Sequence, residues 1–342
     1  LKPVYDGGVS VPIHDIKLPD RDLVHPAYHY PSFITSKGCP FACDYCYLSI
    51  FEKKKYRVLP VDAIIEDMDR AAARGIDFAS VVVDENVSGY SKSDYENRIE
   101  LFERMINKKY KFVWGAQSTV DIYKKPELLK LMHKAGCRTL FLGLEATNNK
   151  NLGEEVNKGF AGRIDYNKAV KTIHKAGISV IGSFIIGLDN QDMDYAKQLP
   201  KALKKMNIEY PRMFFLTAWP GTPLYRKLEQ NDRIIPGWDH VRKDIPNIKY
   251  NNFSHEEIRK AKKIFFDNYF TKPYILKIVL RWLFREPGMV KFFIKILTQN
   301  FGEEGKIKNA ELKEKAKEIK KLVDKHFEGT KKAFVEKKEV PV

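Results

Sequence analysis

Cysteine is scarce in this chain of 342 residues, which has only four. Small secreted proteins that depend on disulfides carry many more, so we expect a reducing compartment, a cytoplasmic location and no disulfides. Long apolar runs are also missing, because no window approaches the ~18–20 apolar residues of a membrane helix. A signal-peptide pattern is absent too. Since the chain begins with Leu1 instead of Met, we expect it to be part of a longer protein.

Charge of one sign dominates what is present: 60 Lys and Arg face 44 Asp and Glu, which gives a net charge of +16. This excess suits a nucleic-acid or anionic-membrane partner, or simply lysines solvated on helix faces. No zinc-finger, helix-turn-helix or RNA-recognition signature occurs, so we do not expect a nucleic-acid binder. A hydrophobic content of 44% supports a sizeable core, and the length predicts one large domain with or without an appendage.

Three of the four cysteines, Cys39, Cys43 and Cys46, fall within eight residues. On a turning loop their thiols can converge on one metal centre, and cysteine thiolates hold iron–sulfur clusters. With only three protein ligands, one iron of such a cluster would stay open to a small molecule. A structural zinc site is the alternative, but it usually needs four ligands in two pairs, and no second pair follows. The fourth cysteine, Cys137, is expected in the core as a small apolar residue.

Short runs of β-branched and aromatic residues alternate with helical patterns from residue 30 onward. Strands are predicted near 32–36, 78–83, 112–118, 138–144, 178–187 and 212–218, and helices near 61–74, 92–108, 126–135, 164–176 and 192–206. Glycines end three helices, at Gly75, Gly136 and Gly177. Six such units imply a parallel sheet, because each parallel strand needs a crossover helix. Right-handed crossovers would curl it into a partial (β/α)6 TIM-like barrel of the α/β class.

Polar residues and glycines follow the predicted strands, where the chemistry of such barrels takes place. They are Gly38 and Cys39, then Asp84, Glu85 and Asn86, then Gln117 and Ser118, then Glu145, then Gly187 to Asp189, and finally Trp219 to Gly221. We expect this rim to form the site. Tyr90, Trp114, Gln117 and Trp219 are candidates for its lining. The pattern identifies no general acid or base, so the catalytic residues stay unassigned.

The spacing C-x-x-x-C-x-x-C, with Tyr45 before the last cysteine, resembles the signature of the radical S-adenosylmethionine (radical SAM) superfamily. The resemblance covers about residues 15–235. It implies that Cys39, Cys43 and Cys46 hold a 4Fe–4S cluster whose open iron binds S-adenosylmethionine, with Tyr45 beside the adenine. It also implies reductive cleavage to a 5′-deoxyadenosyl radical, which abstracts hydrogen from an unactivated carbon. A reductant such as ferredoxin or flavodoxin is then required.

Further positions follow from the same resemblance. Asp84 and Glu85 stand where the family contacts the amino group of S-adenosylmethionine, although this chain reads Asp-Glu-Asn instead of Gly-Gly-Glu. Glu145, in GLEA, matches a residue facing the ribose or methionine part. The segment 182–189, with Ser183 and Gly187, resembles the strand lining the adenine. Together with these matches, the rim residue Gln117 completes the set of candidates, so the predicted cofactor-binding residues are Tyr45, Asp84, Glu85, Gln117, Glu145, Ser183 and Gly187.

Two segments, PDRDL (19–23) and PGTPLY (220–225), resemble members of the family that carry a cobalamin-binding domain. The resemblance implies methylation, or carbon–carbon bond or ring formation, on a hydrophobic substrate. The amphipathic segments near the C-terminus favour a lipid-like molecule. Cobalamin would bind through a domain absent from this chain, because the D-x-H-x-x-G motif does not occur. We therefore expect a linker over 1–29, the core barrel over 30–235 and a helical region over 236–342.

The last region begins with a capping box from Ser254 to Glu257, which opens a helix to about Phe270. Apolar segments with interspersed Lys and Arg follow over 273–286 and 289–297. They either pack on the barrel or lie on an anionic membrane surface. The tail over 309–338 is predicted as an exposed Lys/Glu helix. Two other functions stay open: an RNA-modifying radical SAM enzyme, and a non-catalytic iron–sulfur electron-transfer protein.

Overall fold

A computed structural model describes residues 12–23, 32–74, 80–147, 152–237 and 246–285. The chain divides into two compact units, Leu1–Ile275 and Leu276–Val342. The first contains the four cysteines and every strand found in the described residues. Within the described residues, no helix is long and apolar enough to cross a membrane. The predicted segments 289–297 and 309–338, and Gly75, lie outside the described residues.

The centre of the first unit is a six-stranded sheet in which every neighbouring pair is parallel. Its order is β1-β4-β5-β6-β7-β8, and β2 and β3 form a separate antiparallel hairpin. The strands are β1 (Ser32–Phe33), β2 (Ser36–Gly38), β3 (Tyr56–Val58), β4 (Ser80–Val82), β5 (Trp114–Thr119), β6 (Cys137–Glu145), β7 (Ser179–Ile186) and β8 (Tyr210–Phe215). The predicted α/β class and parallel sheet are confirmed, while its curling into a barrel stays a prediction.

Ten α-helices occur in the described part of the chain. They are α1 (Leu48–Phe51), α2 (Val61–Ala73), α3 (Lys92–Asn107), α4 (Pro126–Lys134), α5 (Leu152–Val156), α6 (Tyr166–Lys175), α7 (Met193–Met206), α8 (Pro223–Gln230), α9 (His255–Tyr269) and α10 (Lys272–Arg285). The capping box predicted for α9 is present, since the Ser254 hydroxyl accepts from Glu257 N and the Glu257 carboxylate accepts from Ser254 N. Gly136, with φ +103°, follows α4, and a Cβ there would lie 2.1 Å from the Phe112 carbonyl oxygen.

One predicted strand, 32–36, is interrupted. The chain leaves the sheet at Thr35 because its N–H donates to Asp84 Oδ1 at 2.7 Å and its carbonyl accepts from Arg98 at 3.0 Å. Ser36 then begins the hairpin that carries the cysteine loop. Asp84 and Arg98 thus supply the hydrogen bonds that Thr35 would otherwise make within the sheet. They lie about 50 and 60 residues further along the chain.

The apolar core contains two residues whose roles were predicted from the sequence. Cys137 is fully buried, as expected, and burial raises the pKa of its thiol to about 12. Trp114 was a candidate for the pocket lining, and this prediction is wrong. It lies at the start of β5, donates to the Ala135 carbonyl at 2.8 Å and stacks on Phe102 with ring centroids 5.6 Å apart.

A buried ion pair attaches the N-terminal segment to the sheet unit. The Arg21 guanidinium binds both oxygens of Asp67, at 2.8 and 2.6 Å, and donates to the Ser32 carbonyl at 2.7 Å. It also lies over the Phe33 ring, 4.9 Å from the centroid. Because both charged side chains are more than 90% buried, this pair fixes residues 21–23 against α2 and β1.

Candidate active site

The cysteine loop joins the hairpin strand β2 to the short helix α1. Cys43 is buried, and Cys39 and Cys46 are half-buried. Burial raises the pKa of all three thiols, to about 11 for Cys43. A negative charge on Cys46 raises the pKa of the other two further, so the three sulfur atoms lie close enough to interact.

Two distant segments hold this loop by its backbone. Asp44 N donates to the Val156 carbonyl at 3.0 Å, and the Asp44 carbonyl accepts from Leu224 N at 3.1 Å. The Asn157 amide side chain donates to the Ala42 carbonyl at 3.0 Å. The end of α5 and the start of α8 therefore fix the loop between the first and last cysteine.

A buried lysine that the sequence analysis missed lies beside the cysteines. Lys158 Nζ is 2.5 Å from Glu145 Oε1 and 3.0 Å from the Gly143 carbonyl. Tyr45 donates its hydroxyl to the same Glu145 oxygen at 2.9 Å. Burial alone would lower the pKa of Lys158, but the Glu145 carboxylate and the negative charges of Cys43 and Cys39 together outweigh burial, and the pKa is raised. The three side chains form one network, with the ammonium held in its charged form.

The backbone of β6 is shaped around this network. Glu145 has φ +65°, a left-handed conformation that is uncommon for a residue other than glycine. The register with β7 shifts between Gly143 and Glu145. A Cβ at Gly143 would lie 2.7 Å from Glu145 Oε1 and 2.9 Å from Lys158 Nζ. Gly143 thus leaves the space that the ion pair fills, and strain of this kind is common at functional sites.

The carboxylates after β4 face different surroundings. Asp84 is fully buried; it accepts from Thr35 N at 2.7 Å, from Ser36 Oγ at 2.7 Å and from the Thr35 hydroxyl, and Arg98 lies 3.7 Å away. Burial raises its pKa, and Arg98 opposes that shift. Both carboxylate oxygens of Asp84 therefore accept hydrogen bonds from groups inside the protein. Glu85, by contrast, is half-buried and accepts from Gly38 N at 2.9 Å, next to Cys39.

A cavity of about 270 Å³ opens where β5 to β8 end. Four of the seven predicted cofactor-binding residues line it: Tyr45, Gln117, Glu145 and Ser183. Trp219, a predicted lining residue, is there as well. Six other lining residues were not predicted from the sequence: Phe141, Ile185, Phe214, Phe215, Leu216 and Thr217. Their alternation along β6, β7 and β8 is the signal that would have found some of them.

The other candidates lie elsewhere. Gly187 has φ +105°, and a Cβ there would lie 2.4 Å from the Tyr250 ring, so this glycine makes room for Tyr250. Tyr90 does not line the cavity of about 270 Å³. Its ring packs edge-on against Phe41 and Tyr56, with centroids 5.4 and 5.1 Å apart, and Phe41 lies between the first two cysteines.

The conserved-family model described as the radical SAM superfamily matches residues 33–203, which is half of the chain. The chain belongs to the radical SAM superfamily. Radical SAM enzymes use a 4Fe–4S cluster and S-adenosylmethionine, and the matched range includes the three cysteines, Glu145 and Lys158.

Several similar proteins are named as methyltransferases or methylases, and two are named as magnesium-protoporphyrin IX monomethyl ester cyclases. An uncharacterized methyltransferase of Pyrococcus horikoshii is 26% identical over 81% of this chain and 60% of its own length. The hopanoid C-2 methylase of Rhodopseudomonas palustris is 26% identical over 65% of this chain and 46% of its own length. This radical SAM chain spans about half the length of these curated relatives.

A solved structure shares the fold. The radical S-adenosylmethionine methyltransferase TsrM of Kitasatospora setae, with cobalamin and a [4Fe–4S] cluster bound, superposes with a TM-score of 0.51 and 16% identity. The match covers 60% of this chain and 38% of that one.

The donor set of this radical SAM chain fits an iron–sulfur cluster. Within the described ranges, no three Cys, His, Asp or Glu side chains surround a single point closely enough to hold one metal ion. A lone zinc ion needs its sulfur ligands about 2.3 Å away. Thiolates that bind separate irons of a cluster need not converge so closely, and three thiols on a fixed loop are the ligands that such a cluster uses.

Proposed function

We propose that this chain is the catalytic part of a radical SAM enzyme that abstracts hydrogen from an unactivated carbon of a small apolar substrate. Methylation, or formation of a carbon–carbon bond or ring, would follow. The observation that carries this proposal is the Tyr45–Glu145–Lys158 network. It connects the cysteine loop directly to a cavity with an otherwise largely apolar lining.

Cys39, Cys43 and Cys46 would hold the cluster. When bound, the cluster supplies the electron that cleaves S-adenosylmethionine and so generates the radical used for hydrogen abstraction. The chain's own task is to hold the ligands and to exclude water. The network supports this task, because Tyr45 is part of the cysteine loop and is fastened to β6 through Glu145.

Polar groups beside the cysteine loop and around the cavity would bind S-adenosylmethionine. Glu85, half-buried beside Cys39, can accept hydrogen bonds from the amino group. Lys158 and Glu145 supply a fixed charge pair for the zwitterionic methionine part. Gln117 and Ser183 offer an amide and a hydroxyl for the ribose and adenine. We assign Asp84 to positioning, because it holds Thr35 and Ser36 at the base of the loop.

The substrate is proposed to be lipid-like. Phe141, Ile185, Phe214 and Leu216 line the cavity, and apolar lining with few polar groups suits an apolar ligand. A relative that methylates a hopanoid points the same way. Peripheral contact of the basic segment 273–297 with a membrane stays a prediction; sedimentation with anionic liposomes, weakened by Lys277→Glu plus Arg281→Glu, would support it.

Cobalamin is proposed as a further cofactor, bound by a part of the protein that this sequence does not include. The similarity of PDRDL and PGTPLY to cobalamin-associated members supports this. So does the fold shared with a methyltransferase that holds cobalamin. Addition of methylcobalamin to the chain is therefore expected to be insufficient for methylation without that part.

The deciding experiment measures 5′-deoxyadenosine. The chain is prepared anaerobically, reconstituted with iron and sulfide, reduced with dithionite and given S-adenosylmethionine. We expect 5′-deoxyadenosine from the native chain and from Cys137→Ala, and none from Cys43→Ala. Cys137→Ala is the matched control, because it also removes a buried cysteine but one outside the loop.

Other outcomes would favour other functions. A four-iron cluster without any cleavage, also when the missing part and substrate extracts are supplied, would favour an electron-transfer protein. The cavity and its buried charge pair would then have no use. Zinc in place of iron after anaerobic isolation would overturn the proposal. Activity on RNA instead of an apolar molecule would favour the RNA-modifying alternative.

A further inference from the structure

An exposed apolar surface adjoins the cysteine loop. Tyr47, Ile50 and Phe51 are 54%, 42% and 78% exposed. They account for three of the eight exposed large apolar side chains found in the described part of the chain. We call these three residues the α1 face. Ile50 and Tyr47 rest on the segment after β8: Ile50 Cδ1 is 3.9 Å from the Cβ position of Gly221, and the Tyr47 and Trp219 rings are 6.4 Å apart.

Three consecutive lysines border this face. Lys53, Lys54 and Lys55, the lysine turn, are all exposed, and none takes part in an ion pair among the residues that the structure describes. The adjacent acid, Glu52, is already paired with Arg57. The surface beside the α1 face therefore carries a concentrated positive charge that no carboxylate of the described ranges neutralises.

The backbone of the lysine turn is strained. Lys53 and Lys54 have φ +50° and +59°, a left-handed conformation that glycine and asparagine adopt more easily. The turn is packed tightly against Gly38: a Cβ added to this glycine would lie 1.9 Å from the Lys55 carbonyl oxygen. Lysine at positions 53 and 54 therefore places positive charge on the surface but makes the folded state less stable than glycine would.

The α1 face is also connected closely to the cluster ligands. Ser49 donates through N and Oγ to the Cys46 carbonyl, at 3.2 and 2.7 Å. Phe51 is the fifth residue after Cys46, and the last four of these five residues form α1. A protein bound on this face would thus lie near the position of the last cluster cysteine.

We propose that the α1 face and the lysine turn are the docking surface of a small acidic electron-transfer protein that contains a flavin or an iron–sulfur centre. The inference rests on the proposed function, since only a chain that holds a reducible cluster needs such a donor. In each encounter the donor loses one electron and the cluster gains it. A compact apolar centre with a charged border suits a transient redox complex, in which charge speeds association.

The first test maps the complex without measuring catalysis. The full chain is mixed with flavodoxin at low salt and treated with a carbodiimide, which joins lysines to carboxylates that touch them. Mass spectrometry is expected to find Lys53, Lys54 or Lys55 joined to flavodoxin acids, and 0.5 M salt to suppress these links. Links located instead on exposed lysines of α6 and α7 would overturn the proposal.

The second test follows reduction of the reconstituted cluster by electron paramagnetic resonance. In Lys53→Glu/Lys54→Glu/Lys55→Glu we expect reduction by reduced flavodoxin to slow about tenfold or more at low salt. Reduction by dithionite should stay unchanged. The matched control is Lys171→Glu/Lys175→Glu/Lys201→Glu, which alters the net charge equally on the exposed surfaces of α6 and α7.

A second variant separates charge from folding. Lys53→Gly/Lys54→Gly removes two charges while suiting the left-handed backbone, so the fold is retained and flavodoxin-driven reduction still slows. Phe51→Ser should slow it through the lost apolar contact. Equal slowing in the α6–α7 control, or no slowing in any variant, would overturn the docking surface. If the native chain gave no signal of a reduced cluster even with dithionite, the proposed function itself would be refuted.

An anionic membrane is the other partner that basic and apolar residues could bind. It is disfavoured because the apolar part of the surface is confined to one short helix. If the triple glutamate variant lost liposome binding but kept flavodoxin-driven reduction, the membrane would be the partner and the proposal would fail.

Discussion

The Lys158 ammonium lies 2.5 Å from the Glu145 carboxylate, and both side chains are more than 90% buried. A buried pair of this kind contributes little when whole, but loss of one partner leaves an uncompensated charge in the interior. The pair also occupies the position where the cysteine loop, β6 and the cavity meet. Its integrity should therefore affect both the stability of the apoprotein and its affinity for S-adenosylmethionine.

Lys158→Met is expected to lower the free energy of unfolding of the apoprotein by about 3–5 kcal/mol, because Glu145 stays buried without a counter-charge. Urea denaturation followed by circular dichroism measures this. The double variant Lys158→Met/Glu145→Leu should recover part of the loss. Lys197→Met, which breaks an exposed pair with Asp194, is the control and should have a much smaller effect. Equal losses in the two single variants would contradict the argument.

Gly143→Ala should disturb the same pair without removing a charge. The new Cβ would meet Glu145 Oε1 at 2.7 Å and Lys158 Nζ at 2.9 Å, and overpacking of this kind costs about 1–3 kcal/mol. We expect weaker binding of S-adenosylmethionine in calorimetry. Gly115→Ala, also in a strand of the sheet and with its nearest contact at 3.3 Å, should bind nearly as well as the native chain.

Arg21→Ala should detach the N-terminal segment. The variant leaves Asp67 buried without its two hydrogen bonds, so we expect a loss of about 3–5 kcal/mol in the free energy of unfolding and faster proteolysis before residue 32. Arg70→Ala breaks an exposed pair on the same helix, α2, and should change neither. Unchanged proteolysis in Arg21→Ala would show that the segment is held by other contacts.

Cys137 should resist alkylation in the folded apoprotein. Its pKa of about 12 means that roughly one thiol in ten thousand is ionised at pH 8, and the thiolate is the reactive form. Because the pKa lies above the working pH, each increase of one pH unit raises the ionised fraction of Cys137 tenfold. Burial still keeps the reagent away from the thiol. Mass spectrometry after iodoacetamide treatment should find Cys39 and Cys46 labelled first. Equal labelling of Cys137 in the native state would contradict its position in the core.

Periodicity predicted the sheet because the pattern depends only on neighbouring residues. The strands β5, β6 and β7 and the helices α4, α6 and α7 begin and end within about two residues of their predicted bounds. The strand β8 ends three residues before its predicted end, and α5 was not predicted. The hairpin of β2 and β3 was not predicted. Its strands have three residues each, and what defines them is the departure of Thr35 from the sheet toward Asp84, a contact across 49 positions of the chain.

The site was predicted less completely for the same reason. A single lysine in a loop gives no signal of burial, so Lys158 could be found only once its partner Glu145 was placed. Asp84 and Glu85 were predicted together, although consecutive residues at a strand end point to opposite sides. The structure accordingly directs Asp84 into the interior and Glu85 toward the loop. Because side chains alternate between the two faces of an extended segment, Asp84 and Glu85 were not to be expected on the same side.

The cysteine loop is held at Ala42 and Asp44 by residues of other segments, through contacts that involve neither iron nor sulfide. The placement of the cysteines therefore depends on α5 and α8, which lie far along the chain from the loop. Damage to either helix is expected to weaken cluster binding even though no cysteine is changed.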